Sequence, residues 1–267
     1  MAPRYVKPYV KRQKNDRADA EAICEAMQRP SMRFVAVKSE DQQSTLAIHR
    51  VRETLVAQKL INALRAHLAE FGIIAPQGAG KVAQLTAVVA DLEDTRVPAL
   101  ARSVLQSLID QLRDTERRVE DLDARLAEQA KTDEACQRLT TIPGIGPITA
   151  TALTATVGDA TVFESGRHLA AWLGLVPRQN SSGGRERLGG ISKAGDGYLR
   201  RLLVHGARAV MRWQGKTSPW LAGLLKRRPF NVAVVALANK LARIAWAVMA
   251  RGEDYRKPDA AAEPAQG

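Results

Sequence analysis

The chain has 267 residues, 45% of them hydrophobic and 25% charged, which is enough apolar material for one large domain or two ordinary ones. Its formal net charge of +12 favours a polyanionic partner, because clustered Lys and Arg gain free energy when they release the counterions of phosphates. Two cysteines exclude a disulfide-stapled scaffold, and no apolar run approaches the ~18 residues of a membrane span.

The first predicted helix follows a basic, irregular opening and ends at Pro30. Asp16 and Asp19 stand one turn apart at its start. Two such carboxylates can hold Mg²⁺ through their oxygens, or they can cap the helix and favour its positive end. Spacing alone leaves both interpretations open. The apolar residues expected to face the protein body are Ala20, Ile23 and Met27.

A short strand or extended connector is predicted over residues 31–38, and one long helix over residues 39–71. His49 and His67 lie beside the apolar stripe of this helix. We interpret both as packing or surface histidines, because neither has a second ligand at metal-binding spacing. The stripe consists of Ile48, Val51, Leu55, Ile61, Leu64, Leu68 and Phe71.

A second long helix carries apolar residues in alternating steps of four and three, which is a heptad seam. With the first long helix it predicts either an antiparallel helical hairpin or a dimerising coiled coil. The seam residues are Ala101, Leu105, Leu108, Leu112, Thr115, Val119, Leu122 and Leu126.

The sequence TTIPGIGPITATAL at residues 140–153 matches a helix-hairpin-helix pattern. Gly144 and Gly146 allow a tight turn, and the amides before the second helix can then meet a phosphate at its positive end. Because no side chain would contact a base, binding in this mode would not depend on sequence. An ordinary interhelical turn is the alternative interpretation.

The stretch from Trp172 to Arg201 contains a polar, glycine-rich loop with adjacent serines, Ser181 and Ser182. A short helix, with Leu169, Trp172 and Leu173 facing inward, leads into it. Six basic residues against two acidic ones follow Pro177, so a small nucleophile lies in a cationic loop suited to a polyanion. The basic residues are Arg178, Arg185, Arg187, Lys193, Arg200 and Arg201.

The helix after this loop carries a cationic stripe at steps of four, three and four. A stripe of this kind is often a solvated face, but its place after a cationic loop favours a track for phosphates. The stripe residues are Arg201, His205, Arg208 and Arg212. A buried helix over residues 231–251 and a tail rich in Ala, Pro and Glu complete the chain.

These segments together resemble the transposases of the insertion sequence 110/116/902 family. The resemblance spans nearly the whole chain and is carried by KRQKNDRADAEAI, TTIPGIGPITATAL and AAWLGLVPRQNSSGGRERLGGISKAGDGYLRRLLVHGAR. Members of the family join a RuvC-like DEDD domain, through a coiled coil, to a helical transposase domain with a nucleophilic serine. The resemblance therefore implies DNA cleavage and strand exchange, guided in intact relatives by a structured bridge RNA.

Matched residue by residue, the resemblance assigns Ser182 as the nucleophile and Asp16 and Asp19 as the last two acids of the DEDD set. Mg²⁺ is the implied cofactor. Gly144, Gly146, Arg178 and Lys193 are expected to contact DNA, as are Arg201, Arg208 and Arg212 on the cationic stripe.

The first Asp and the Glu of that set would lie upstream of Met1, so we expect an N-terminally truncated member with an incomplete metal site. The expected fold is mainly α, with a RuvC-like α/β remnant at residues 1–38 and a coiled-coil region at 39–130. A transposase domain at 131–252 and a disordered tail at 253–267 follow. We expect a cytoplasmic, nucleoid-associated dimer or tetramer without a membrane partner.

Two other functions remain open at this level. An inactive truncated copy would act only as a non-specific nucleic-acid-binding protein. A structure-specific nuclease would use the hairpin and the acids without the serine. The first would bind DNA without forming a covalent adduct, and the second would cut DNA without Ser182.

Overall fold

The protein is described by a computed structural model. Over the residues that it describes, the elements are helices apart from one two-stranded sheet, which confirms the mainly α prediction. Two compact units divide the chain, Met1–Ser39 and Glu40–Gly267. The structure describes residues 6–10, 16–30, 37–56, 60–74, 81–179, 188–214 and 218–256.

The first unit contains a 3-10 turn, Lys7–Tyr9, packed against helix α1, Asp16–Met27. Its buried side chains are Ala22 and Ala26, so the predicted inward face is wrong. Ala20 is exposed, as are Ile23 (43%) and Met27 (54%). The predicted strand falls mostly on residues 31–36, outside the described ranges.

The second unit begins with four helices: α2, Glu40–Val56; α3, Leu60–Glu70; α4, Val82–Ala90; and α5, Ala99–Thr132. The single predicted helix over residues 39–71 is thus described as two, and residues 57–59 lie outside the described ranges. We call α3, α4 and the first half of α5 the arm. Its core consists of Leu64, Leu68, Ile73, Leu85, Val89, Val97, Leu105 and Ile109.

Helices α2 and α5 run antiparallel. Arg52 of α2 pairs with Asp123 of α5, and Gln129, further along α5, donates a hydrogen bond to the earlier Thr45. The hairpin alternative therefore describes this packing within the chain, while a coiled coil between chains stays a prediction. Of the predicted seam, Leu105, Leu112 and Leu126 are buried.

The buried face of α2 is polar, which contradicts the predicted stripe over its length. Thr45 and His49 are buried, whereas Val51 is 53% exposed. Side chains on other helices supply hydrogen-bond partners to both buried residues, so their burial leaves no polar group unpaired. The second half of the stripe is correct, because Leu64 and Leu68 are buried.

The larger core forms around α11, Phe230–Arg251, which contacts α6, α8, α9 and α10. These helices are α6, Glu134–Thr140; α7, Pro147–Val157; α8, Gly166–Trp172; α9, Gly197–Gln214; and α10, Pro219–Arg227. Among the buried residues of α11 are Val234, Leu237, Leu241, Ala245 and Val248, as predicted.

Within the described residues, α11 is long and apolar enough to cross a membrane by length and composition, although polar side chains interrupt it and no apolar run in it approaches 18 residues. Its apolar surface is used differently, since eight of its residues are buried against neighbouring helices. A helix that is apolar on several sides is typical of the centre of a helical core.

Candidate nucleic-acid interface

The serine loop is flanked by two short strands that the sequence pattern does not predict. Strand β1, Pro177–Gln179, pairs antiparallel with β2, Leu188–Ile191. The Cα partners are Pro177 with Ile191 and Gln179 with Leu188, with an irregularity between them. Ser181 and Ser182 belong to residues 180–187, outside the described ranges. The strand pairing therefore places Gln179 and Leu188, the described residues on either side of the loop, opposite each other.

The base of this hairpin is fixed by close backbone packing against the end of α8. A Cβ on Gly195 would lie 2.9 Å from the Cα of Leu173 and closer still to the carbonyl oxygen of Trp172. The amide of Lys193 donates to the carbonyl of Gly174 at 3.0 Å, and Lys193 itself has a φ of +54°. A left-handed lysine is uncommon, so surrounding contacts must hold this conformation.

Arg200 ties the same base to α9. Its guanidinium donates to the carbonyl oxygens of Leu173 at 2.9 Å and Gly195 at 3.3 Å. Because both acceptors lie next to the hairpin strands, this one side chain joins the end of α8, the hairpin base and the first turn of α9. The base of the hairpin is thus tied to both α8 and α9.

The predicted cationic stripe lies on the exposed side of α9. Asp196 begins the helix by accepting hydrogen bonds from the amides of Tyr198 and Leu199, at 2.8 and 3.0 Å. Leu199, Leu203 and Ala207 are buried on the opposite side. The exposed stripe residues are Arg201, His205, Arg208 and Arg212.

Two of these arginines already have neighbours that orient them. Arg201 forms an ion pair with Glu53, and Arg208 donates to the side-chain oxygen of Asn231 at 3.0 Å. Trp213, next to Arg212, is 86% exposed. A large exposed aromatic ring beside cations is suited to base stacking, and this candidate was missed because a lone tryptophan in a helical pattern resembles a core residue.

The predicted helix-hairpin-helix segment forms α6, a turn and α7. Gly144 in the turn has a φ of +90° and lies against Gly206 of α9, so close that a Cβ on Gly144 would be 2.9 Å from the carbonyl oxygen of Gly206. Gly146 is exposed and precedes α7. The structure thus gives Gly144 a packing role, and phosphate contact at this turn stays a prediction.

Asp16 and Asp19 both occupy the first turn of α1. Asp16 is exposed and Asp19 is half-buried. Among the residues that the structure describes, no group of three or more His, Cys, Asp or Glu side chains could hold a metal ion. Two carboxylates at a helix start fit part of a magnesium site but do not complete one.

Comparison with known proteins decides the family. The model of the Transposase IS116/IS110/IS902 family matches residues 136–220. A "Probable family 20 transposase" of Pseudomonas aeruginosa is 51% identical over 96% of this chain and 78% of its own length. The chain belongs to this family of insertion-sequence transposases.

Two further relatives agree with that assignment. The transposase for insertion sequence element IS1111A of Coxiella burnetii is 44% identical over 96% of this chain and 72% of its own. The transposase for IS1328 of Yersinia enterocolitica is also 44% identical, over 96% of this chain and 78% of its own. In this transposase the matched segment 136–220 contains the turn at Gly144, the hairpin and all of α9.

A buried polar cluster joins the first turn of α9 to two other helices of the transposase, α2 and α7. The side chain of His49 from α2 is 2% exposed and reaches Tyr198 through Nδ1, at 3.0 Å, and Thr151 through Nε2, at 3.1 Å. The Thr151 hydroxyl donates to the carbonyl of Pro147 at 2.8 Å, so it accepts from His49 Nε2–H. His49 Nδ1 is then left to accept the Tyr198 proton.

Charged side chains surround this cluster and shift its titration. Burial, assisted by the nearby Arg52 guanidinium, lowers the pKa of His49 to about 4. Burial raises the pKa of the Tyr198 hydroxyl, and the hydrogen bond to Asp123 raises that of Arg52. A neutral imidazole and a protonated phenol therefore hold α9 in position at neutral pH, which agrees with the predicted packing role of His49.

Proposed function

We propose that this transposase cleaves and rejoins DNA with Ser182 as the nucleophile. The observation that carries the proposal is the position of the residues on either side of the serine loop. They lie in one antiparallel strand pair, and Arg200 joins the base of that pair to the start of the cationic helix α9. Ser182 follows Gln179 by only three peptide units, about 11 Å at full extension, so the hairpin base limits where its hydroxyl can be presented.

The proposed step is a transesterification. The Ser182 hydroxyl oxygen forms a bond to phosphorus and loses its proton, while the bond from phosphorus to one deoxyribose oxygen breaks and that oxygen takes up a proton. Attack by a free hydroxyl of another strand on the same phosphorus reverses these changes and releases Ser182. The sum of the two steps is an exchange of strands without loss of the phosphodiester.

The cations nearest to the loop in sequence have defined tasks in this proposal. Arg178 lies exposed in β1 and Lys193 lies exposed just after β2. Positive charge on both sides of the loop would neutralise the phosphate as negative charge develops on its oxygens. Arg201, Arg208 and Arg212 would hold the flanking backbone, and the exposed start of α7 at Gly146 would meet a further phosphate.

Asp16 and Asp19 are proposed as two ligands of a Mg²⁺ ion. A bound ion of this kind would supply positive charge at a reacting phosphate. Because no third His, Cys, Asp or Glu side chain among the described residues joins this pair, the ion would need further oxygen ligands, and no step above depends on it.

Nucleic acid and a second copy of the chain are the partners that we propose. The net charge of +12 supports nucleic acid as the partner, and family resemblance adds a guide RNA to the DNA substrate. Val119 and Leu122 are heptad residues of α5 that are only half-buried, and we assign them to the contact with a second copy in a dimer or tetramer.

Trapping on a nicked suicide substrate tests the serine chemistry. We expect wild-type protein to form a covalent protein–DNA adduct, Ser182→Ala to lose it by at least about 10³-fold, and Ser181→Ala to retain it. Loss of the adduct in both variants, or in neither, would contradict the assignment of Ser182. DNA binding without any wild-type adduct would favour a binding protein, and cleavage that survives Ser182→Ala would favour a nuclease.

The DNA track on α9 gives a second expected result. The pair Arg208→Gln and Arg212→Gln removes two phosphate contacts, so duplex affinity should fall on the order of tenfold and the salt slope of log K should flatten by about 2. Fluorescence anisotropy with a labelled duplex at several salt concentrations measures both. The control pair Arg125→Gln and Lys131→Gln removes the same charge from exposed positions of α5. Equal losses in both pairs would show that only net charge matters.

A further inference from the structure

A concave groove of about 1000 Å³ lies between the start of α8, helix α10 and the middle of α11. None of the described residues that line it is acidic, and four are cationic: Arg167, Arg227, Lys240 and Arg243. Four like charges around one concavity repel one another, which costs stability unless a polyanion occupies it. The concentration of positive charge therefore indicates a ligand with several phosphates or carboxylates.

The walls of this groove are held by packing and by hydrogen bonds. Gly166 lies so close to α11 that an added Cβ would be 2.9 Å from the carbonyl oxygen of Arg243. The indole nitrogen of Trp246 donates to the carbonyls of Ala160 and Phe163 at 3.0 and 3.1 Å. The groove is thus formed before any ligand arrives, which reduces the entropy cost of binding.

One wall carries an aromatic ring that is paired with a cation. The Lys240 ammonium lies 4.3 Å from the centre of the half-buried Trp220 ring. A phosphate that attracts the Lys240 ammonium would uncover the same ring face for a flat group. A ligand that alternates phosphates with aromatic bases can satisfy the lysine and the ring together.

The chemistry favours unpaired nucleic acid over a duplex. In a duplex the bases are stacked on one another and paired, so none can lie flat on a ring in the wall of a groove. Single strands offer free base faces, and sites for them combine a cationic groove with aromatic stacking. An acidic peptide would satisfy the cations but would leave Trp220 without a stacking partner.

We propose that this groove binds an unpaired segment of DNA or RNA, with phosphates on Arg167, Lys240 and Arg243 and one base stacked on Trp220. The site goes beyond the proposed strand exchange, because it involves neither Ser182 nor the arginines of α9. It gives the transposase a second nucleic-acid surface for a strand that is not in duplex form.

The test measures the affinity of the full chain for a single-stranded DNA, a single-stranded RNA and a duplex of the same sequence. The pair Arg167→Gln and Arg243→Gln should weaken binding of at least one single strand on the order of tenfold and flatten its salt slope by about 1.4, while duplex affinity changes less than threefold. The DNA and RNA arms distinguish the two sources of the strand. Far-ultraviolet circular dichroism and thermal melting check that the variant is folded.

Two control pairs keep this result separate from the proposed function. Arg208→Gln with Arg212→Gln should weaken the duplex more than the single strands, and Arg125→Gln with Lys131→Gln reports the effect of net charge alone. A single strand that contains 5-iodouracil, when photo-crosslinked to the wild-type chain, should label the peptide that contains Trp220. Labelling confined to α9, or a groove pair that loses no more than the net-charge pair, would overturn the proposal and leave an acidic peptide as the occupant to consider.

Discussion

Replacement of Gly206 by alanine is expected to lower the free energy of unfolding by about 2–4 kcal/mol. A Cβ at Gly206 would lie 3.0 Å from the carbonyl carbon of Gly144 and closer still to its oxygen. Both sides of this contact are backbone, so no side chain can rotate away and α9 must move from the turn. Alanine normally stabilises a helix by about 1 kcal/mol relative to glycine, which is smaller than the cost of that movement.

Chemical denaturation of the full chain measures this change, and Gly223→Ala is the matched control. Gly223 lies within α10, and an added Cβ there would meet no atom within 4 Å. The free energy of unfolding of that variant should rise by about 0.5–1 kcal/mol, because alanine has a higher helix propensity than glycine. If Gly206→Ala were as stable as Gly223→Ala, the close approach of α9 to the turn at Gly144 would be wrong. Loss of duplex binding in Gly206→Ala at temperatures where it is folded would further link this contact to the interface.

The second large effect is a loss of stability in mild acid that depends on His49. In the unfolded chain the pKa of the imidazole is 6.5, and in the folded chain it is about 4, so between these values the unfolded state binds more protons. The contribution is fully present above pH 6.5 and is lost as pH falls toward 4. At pH 4.5 the loss amounts to about 2–3 kcal/mol relative to neutral pH.

Urea denaturation of the wild type and of His49→Gln at pH 7 and pH 4.5 isolates the contribution of His49 to the free energy of unfolding. Glutamine does not titrate and retains a donor and an acceptor for Thr151 and Tyr198. The wild type should therefore lose about 2–3 kcal/mol more than the variant between the two pH values, because carboxylates elsewhere contribute equally to both. If the wild type and the variant lost the same free energy of unfolding, folding would not lower the pKa of His49.

Helical periodicity predicted the elements whose two faces differ strongly. Helix α11 was correct because apolar residues fill most of its positions, and the short helix α8 was correct because Leu169 lies on its buried side. The exposed side of α9 was also correct, since Arg208 and Arg212 are spaced for one face. Periodicity failed where the buried face is small or polar, as at Ala22 in α1.

His49 shows why such a failure could not be avoided from sequence alone. Its burial is favourable only because Tyr198 and Thr151, each more than one hundred residues away along the chain, supply its hydrogen bonds. The strands around the serine loop were missed for a related reason. Gly189 and Gly190 have low strand propensity, and their order depends on pairing with β1 and on the base that Arg200 holds.

In the candidate site, too, only the residues that form a local pattern could be predicted from the sequence. Local spacing was sufficient to place Arg201, His205 and Arg212 on one exposed face, and resemblance was needed to choose between Ser181 and Ser182. Neither approach revealed the groove around Trp220, because its cations come from three helices that no local pattern relates. Trp213 was missed because its exposure is a property of the tertiary fold.

Because α5 joins two separate cores, substitutions in the two cores should have independent effects on stability. Its 34 residues, about 50 Å long, serve the arm core at Leu105 and Ile109 and the larger core at Ala130. Substitutions at Leu64 in the arm and Leu241 in the larger core share no buried neighbour, so their effects on stability should add rather than compound. We therefore expect substitutions in the arm to be tolerated without compensating substitutions in the core that carries the serine hairpin.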